Sequence, residues 1–481
     1  MSFLLAQLLD GSGAKLPATV STITGLNSDS RAIVQGEAFF ALPGTHDHGN
    51  SFAEDAIANG AAVVVTDTPI RGKTAVPVII VDDVRAAYAR AAARHFAPQP
   101  SVAVAVTGTN GKTSVASFVR QIWDASGMPA ASIGTLGVET SAGLESGTLT
   151  TPDPRSLHRI LGLLRSHGID HVSLEASSHG LDQRRLDGLK FKAVGYTNLT
   201  RDHLDYHLDM ESYREAKLRL FRELLVEGGS AIVNVDDPEH MPFLFAALDR
   251  GATLMTVGSE GAFFEATKVE NEGFGQRVTG RLVGEPVSFH LPLTGAFQVS
   301  NALVALAMAM STGAPQAKAI AALERIRGAR GRLELVGQRG QGAVFVDYAH
   351  TPDALKNALE SLRPYARGKL WVVFGCGGDR DRGKRPQMGA VARDLADRVI
   401  VTDDNPRTED AASIRAAILA EAGDAREIGD RRAAIEAAVG AMGEGDVVLV
   451  AGKGHEDYQI IGTTKHHFSD HEVVAEVLGR I

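Results

Sequence analysis

The chain has 481 residues, of which 44% are apolar and 22% charged, with a net charge of −9 and a single cysteine, Cys376. That length calls for roughly three hydrophobic cores, and the composition, with no long uncharged apolar run, excludes a disordered or membrane-spanning protein. The acidic balance excludes a broad nucleic-acid-binding face, and one cysteine excludes an intramolecular disulfide or a multi-cysteine metal site. Residues Met1 to Leu9 are apolar but have neither a basic lead nor a small-residue cleavage site, so a cytoplasmic protein is expected.

In chain order, Ala38 to Leu42 and Ala61 to Val65 predict short buried strands around a helix near Phe52 to Ala58. The two prolines of His95-Phe96-Ala97-Pro98-Gln99-Pro100 disfavour regular structure and set a first boundary at 98. A second block, 99–329, opens with strand Val102 to Val106, a glycine-rich turn and a helix from Lys112, and continues as alternating strands and helices. The third, 330–481, alternates again: strands at Val344 to Asp347, Leu370 to Phe374, Arg398 to Thr402 and Asp446 to Ala451, with helices from Pro352, Pro386 and Ala411. An α/β protein of three domains is expected, the last a Rossmann-like doubly wound sheet.

The sharpest motif is Thr107-Gly108-Thr109-Asn110-Gly111-Lys112-Thr113-Ser114, between the apolar strand and the helix. Glycines admit phosphate oxygens to backbone N–H groups, the helix N-terminus favours negative charge, Lys112 adds a cation, and the Thr113 hydroxyl suits a magnesium ion. The loop is a shortened variant, with Val106 where the common P-loop has glycine. Glu175 follows the apolar Val172 to Leu174, where an NTPase strand delivers a carboxylate to magnesium; an acid here also serves as a helix cap. His203 lies among polar neighbours that read equally as a solvated loop, and composition alone makes Lys217 an exposed helix lysine. Loops after predicted strands carry Arg380, Asp404-Asn405-Pro406-Arg407, and Gly452-Lys453-Gly454-His455-Glu456, a set able to surround a zwitterion. The last of these lacks the full spacing of a nicotinamide loop.

The glycine-short loop resembles that of the Mur ligase and folylpolyglutamate synthase group. Thr150-Thr151-Pro152-Asp153, Glu175 to Leu181, Asn198 to Asp205, Gly331-Arg332 and Asp347 to Pro352 extend the resemblance, from Asp29-Ser30-Arg31 to Phe468-Ser469-Asp470. Asp404 to Arg407 is similar to the amino-acid selector of the family's diaminopimelate-adding members.

The resemblance implies an N-terminal domain for a UDP-linked precursor, a central P-loop ATPase domain and a C-terminal amino-acid domain, with ATP and magnesium as cofactors. It implies that Gly108 to Ser114, Asn301, Arg332 and Asp347 hold the nucleotide, with Gln298 where asparagine is usual. Ser28, Ser30, Thr45, His46, Asp47, Thr150, Thr151, Ser177, Gln183 and Arg185 would hold UDP-N-acetylmuramoyl-L-alanyl-D-glutamate. Arg380, Asp404, Asn405, Pro406, Arg407, Gly452 and Glu456 would hold meso-diaminopimelate. Lys112, Glu175, His203 and Lys217 would be catalytic, and Thr113, Glu175, His203 and Lys217, the last as a carbamate, would serve the metal. A monomer is expected. Rival readings are a lysine-adding Mur ligase, a folylpolyglutamate synthase-like ligase, and a P-loop ATPase that acts as a switch.

Overall fold

Short runs of β-branched and aromatic residues build the first sheet. In the computed structural model, which describes residues 3–16, 22–44, 47–145, 149–203 and 206–480, Leu26–Asn27 (β1), Ala38–Phe40 (β2), Val63–Thr66 (β3) and Val78–Ile80 (β4) pair in parallel in that order. β2 and β3 are buried along their whole length, as parallel strands covered on both faces must be. The helix Ala53–Ala58 (α1) packs Ala53 and Ala56 on one face, and Val84–His95 (α2) packs Ala87, Tyr88 and Ala91 on the other.

The next sheet is centred on Val102–Thr107 (β5), which runs through a glycine turn into Lys112–Ala125 (α3). Ala130–Gly134 (β6), His171–Glu175 (β7), Phe191–Tyr196 (β8), Leu225–Asn234 (β9) and Thr253–Gly258 (β10) join it in the order β6-β7-β5-β8-β9-β10, all parallel. The register sets Glu175 opposite Val106 and Tyr196 opposite Thr107. The carboxyl ends of β5, β7 and β8 therefore meet at one edge, where open α/β sheets bind ligands. Between β8 and β9, Met210–Arg219 (α4) starts in a capping box, with Asp209 Oδ1 accepting from Ser212 N at 2.8 Å. Its Tyr213 and Lys217, four residues apart, are both buried.

By compactness the chain forms two units, one of residues 1–266, 281–285 and 303–322, the other of 267–280, 286–302 and 323–481. The second holds part of Ala296–Ser311 (α5) and a six-stranded sheet. Its strands are Glu334–Arg339 (β11), Gly342–Asp347 (β12), Leu370–Phe374 (β13), Arg398–Val401 (β14), Arg426–Glu427 (β15) and Val447–Ala451 (β16), in the order β11-β12-β16-β13-β14-β15. Alternate residues face opposite cores. Phe345, Val372 and Leu449 pack with Pro352–Leu362 (α6), Lys384–Leu395 (α7) and Ala411–Leu419 (α8). Val346, Val373 and Val450 pack with Arg431–Gly440 (α9) and Asp470–Arg480 (α10).

The doubly wound α/β expectation holds, with two departures. β11 is antiparallel, and Tyr458–Ile461 (β17) and Thr464–His467 (β18) form a hairpin that the β–α alternation did not foreshadow.

Candidate functional site

The loop after β5 takes its shape from its neighbours. Gly108 has φ +150°, and a Cβ there would lie 2.0 Å from Thr197 Oγ1; Gly111, at φ +88°, opens α3. Segment 197–200 holds the loop from one side: Thr109 N donates to Asn198 O (2.8 Å), Asn110 N to Asn198 Oδ1 (3.0 Å), and Thr197 Oγ1 to Asn110 O (2.6 Å). Thr109 Oγ1 donates to Thr200 O (3.1 Å) and lies 3.2 Å from the Tyr213 hydroxyl. Lys112 Nζ donates to Gly108 O (2.9 Å) and Thr109 O (2.7 Å), which sets its ammonium at the loop.

Lys217 lies on the same loop. It is 1% exposed, donates to Gly108 O at 2.8 Å, and sits 4.3 Å from the Tyr213 ring centroid. The exposed surface lysine read from composition is thus corrected: the position faces inward because Tyr213, one turn earlier, builds the wall it packs on. Burial first, and then the charge of Lys112, hold its amine well below the ordinary lysine pKa.

Glu175 ends β7 at 2% exposure. Its Oε1 accepts from Thr135 N (2.7 Å) and its Oε2 from Thr135 Oγ1 (3.2 Å), and Thr135 Oγ1 lies 3.0 Å from Thr150 Oγ1. The carboxylate is thus a wall of the site rather than a helix cap. Together with Thr113, Ser132 and Glu139 it lines one small pocket whose polar side chains carry oxygen donors and whose other walls include Ala116, Ile133 and Leu136. Among the described residues no group of three or more His, Cys, Asp and Glu is placed to hold a metal; magnesium usually keeps waters and phosphate oxygens and needs few protein ligands. His203, at φ +54°, has its ring 6.2 Å from that of Tyr213 and 4.9 Å from that of His179.

Thr150, Thr151, Ser177, Gln183 and Arg185 come together beside Glu175. Thr151 Oγ1 donates to Glu175 O (2.8 Å) and lies 2.9 Å from Ser177 Oγ; Arg185 Nη1 donates to Thr151 O (2.7 Å) and its Nε to Gln183 Oε1 (3.1 Å). Burial lowers the Arg185 pKa, and the charge of Asp153 opposes the fall. Ser28 and Asp47 sit on loops beside the N-terminal sheet and Ser30 opens the 3-10 turn Ser30–Ala32; among the described residues none of the three makes a hydrogen bond to this group. Thr45 and His46 lie outside the described residues.

In the second unit, Asn301 Nδ2 donates to Gln298 Oε1 (3.2 Å), and Gln298 Nε2 to Arg332 O (3.4 Å). The Arg332 guanidinium stacks 4.7 Å over Tyr348, and its buried Nε has no hydrogen-bond partner among the described residues. Asp347 accepts from Leu333 N (2.6 Å) and Ala349 N (2.7 Å); burial raises its pKa and Arg332 opposes the rise.

The three C-terminal loops also converge. Asn405 Nδ2 donates to Glu456 Oε2 (3.1 Å), and a Cβ on Gly452 would lie 3.8 Å from Asp404 Oδ2. Arg407 adopts φ +50° and donates from Nη1 to Gly378 O (2.8 Å). Pro406 O accepts from Glu409 N (3.2 Å). Arg380 is exposed and donates to Asp379 O (3.1 Å). Sequence reasoning passed over Thr135, Thr197 and Tyr213, common residue types whose part here comes from tertiary contact. It also gave no part to Lys453, although the residue lies inside a motif already singled out.

An ATP loop, a buried lysine beside it and a zwitterion-sized set of charges define an ATP-dependent ligase, and comparison with known proteins bears this out. Residues 22–96 match the Mur ligase family catalytic-domain model, 106–309 the Mur ligase middle domain, and 331–454 the Mur ligase glutamate ligase domain; the chain belongs to the Mur ligase family. It is 55% identical over 459 residues to a UDP-N-acetylmuramoyl-L-alanyl-D-glutamate–2,6-diaminopimelate ligase of Mesorhizobium japonicum, with 95% of each chain covered. A protein of the same name from Caulobacter vibrioides is 51% identical, with 96% of each chain covered. A solved structure of a ligase of that name superposes with TM-score 0.74 at 33% identity, covering 100% of this chain and 99% of the other. The folylpolyglutamate synthase of Mycobacterium tuberculosis shares the fold at TM-score 0.61 and 18% identity, over 76% of this chain and 91% of its own. No helix among the described residues is long and apolar enough to cross a membrane.

Proposed function

We propose that this protein uses ATP to join meso-2,6-diaminopimelate to the D-glutamate γ-carboxylate of UDP-N-acetylmuramoyl-L-alanyl-D-glutamate, a step of peptidoglycan precursor synthesis. The observation that carries this reading is the 55% identity to a ligase of that name across 95% of both chains. Breaks between the matched family segments near 98 and 329 support three domains with boundaries there.

The γ-carboxylate attacks the terminal phosphorus of ATP, ADP departs, and an acyl phosphate forms. The amine then attacks the acyl carbon, and phosphate leaves with the C–O bonding pair; direct condensation would instead have to expel hydroxide. Lys112 offsets charge on the transferring phosphoryl, and the backbone N–H groups of 108–114 hold the polyphosphate. Asn301, Arg332 and Asp347 serve the nucleotide, the unpartnered Arg332 Nε being a donor suited to an anion. Thr150, Thr151, Ser177, Gln183 and Arg185 orient the UDP-linked substrate with Ser28, Ser30 and Asp47.

Magnesium, which would neutralise phosphate charge, would be held by Thr113 and Glu175, with His203 and carbamylated Lys217 at a second position. The depressed pKa of Lys217 supports the modification: a neutral amine attacks carbon dioxide through its lone pair and loses one proton, leaving a carbamate.

Arg407 binds the distal carboxylate of diaminopimelate, a group that lysine lacks. Truncating one partner of a buried charge pair costs ~2–5 kcal/mol, and the lower figure is about thirtyfold. Arg407→Ala is therefore expected to lose at least about thirtyfold in kcat/KM for diaminopimelate while ATP binding is unchanged. Comparing the specificity constants for diaminopimelate and lysine at saturating ATP and UDP-dipeptide checks this; an undiminished preference in the variant removes Arg407 as selector.

A further inference from the structure

Lys453 is fully buried, yet it lies in no catalytic step derived above. Its ammonium has two hydrogen bonds and one ion pair: Nζ donates to Tyr458 O (2.7 Å) and Asn405 Oδ1 (3.1 Å), and lies 3.2 Å from Asp404 Oδ1 as a charge contact. Asn405 Oδ1 accepts from Ile460 N as well, at 2.9 Å. With its oxygen engaged by two donors, the Asn405 amide has one orientation available, and that orientation sends Nδ2 to Glu456 Oε2 at 3.1 Å. The lysine thus ties the turn after β14 to the loop after β16 and to the start of β17.

We infer that Lys453 is a positioning residue for the amino-acid acceptor, fixing the Asn405 amide so that Glu456 is aimed, and offsetting the charge of the neighbouring Asp404 and Glu456 carboxylates. This rests on the proposed reading that the Asp404 to Arg407 turn and Glu456 hold the amino acid, with the two carboxylates suited to its ammonium. A leucine or methionine would fill the space, so a buried cation here answers to the charge around it rather than to packing.

Burial, and then the charge of Asp404, raise the Glu456 pKa, while the Asn405 hydrogen bond and Lys453 lower it. Around this site Tyr348 and Tyr458 respond to the Glu456 charge, and Arg407, Arg431 and Arg332 supply further positive charge. Behind it, Arg431 and Asp470, both fully buried, form a bidentate pair with both contacts at 2.7 Å, and Arg431 Nη2 donates to Ala451 O (3.0 Å). That cation is paired with Asp470, and the ion pair to Asp404 is made by Lys453.

Removing Lys453 takes away a positive charge that helps keep Glu456 ionised, so its pKa rises further. The acidic limb of kcat/KM for diaminopimelate must then move to higher pH. Two variants separate charge from shape: Lys453→Met keeps the length without a donor, and Lys453→Gln keeps a donor for Asn405 without the charge. In purified full-length enzyme at saturating ATP and UDP-dipeptide, both are expected to move the acidic limb up by about one pH unit. Lys453→Met is further expected to raise the plateau KM for diaminopimelate about tenfold, with KM for ATP unchanged. Glu456→Gln is the control for the underlying reading, and should raise KM for diaminopimelate and flatten the acidic limb. If Glu456→Gln behaves as wild type, the site reading fails. If it has its expected effect while Lys453→Gln, folded by thermal melting, gives a pH profile superimposable on wild type, the inference about Lys453 fails by itself. A folding defect confined to Lys453→Met leaves the Lys453→Gln profile to decide.

Discussion

Lys112→Ala is expected to lower ligation by at least about a hundredfold, the scale on which loss of one preorganised donor to developing charge is felt. The ammonium is positioned by two carbonyls of the loop itself, Gly108 O and Thr109 O, so it needs no reorganisation to meet a phosphate at the loop mouth. Alanine keeps the N-terminal helical turn of α3, and Gly108 and Gly111 keep their φ values, because segment 197–200 holds the loop independently of the lysine. The loss should therefore fall on kcat more than on the melting temperature. Phosphate release with both UDP-dipeptide and diaminopimelate present is the measurement, and near-normal turnover by a folded variant would sink the assignment.

Lys217→Ala is expected to be comparably impaired, for a different reason. The side chain is sealed between Gly108 O and the Tyr213 ring, so its removal deletes both a buried donor and packing volume. Such truncations cost a few kcal/mol of stability, which thermal melting reads. If the position acts as a carbamate, a short carboxylate such as acetate should restore part of the activity without restoring the melting temperature, since a diffusing anion supplies oxygen ligands but does not mend the helix packing. Full activity in the untreated variant would dispose of a catalytic role; failure of rescue alone would leave that role standing, because the added acid must still reach a sealed site.

The alternation of strands and helices was legible because buried parallel strands are near-continuous apolar runs: Val102 to Val106 and Leu370 to Phe374 fall within or on the observed β5 and β13. The phosphate loop was legible because its glycines and lysine are contiguous. The burial of Lys217 was not legible from composition, since it follows from packing on Tyr213 and from contact with Gly108, a hundred positions away. The β17–β18 hairpin was missed for a similar reason: Tyr458 to His467 has no alternation strong enough to stand out, and its place is set by Arg407 N donating to Ile460 O and Gly462 N donating to Arg407 O.

Arg407 holds φ at +50°, a region that disfavours any residue with a Cβ and costs about 1–2 kcal/mol relative to the ordinary helical one. The backbone there is fixed on both sides by the hairpin, so the chain cannot relax out of it, and glycine is the residue that local energetics would choose. The arginine is thus kept against the preference of its own backbone. Any redesign that ranks substitutions by backbone preference alone would begin by erasing the guanidinium, and with it both the hydrogen bond to Gly378 O and the group proposed to meet the acceptor's distal carboxylate. On the proposed reading of Arg407, position 407 is where backbone preference and choice of substrate pull the chain toward different residues.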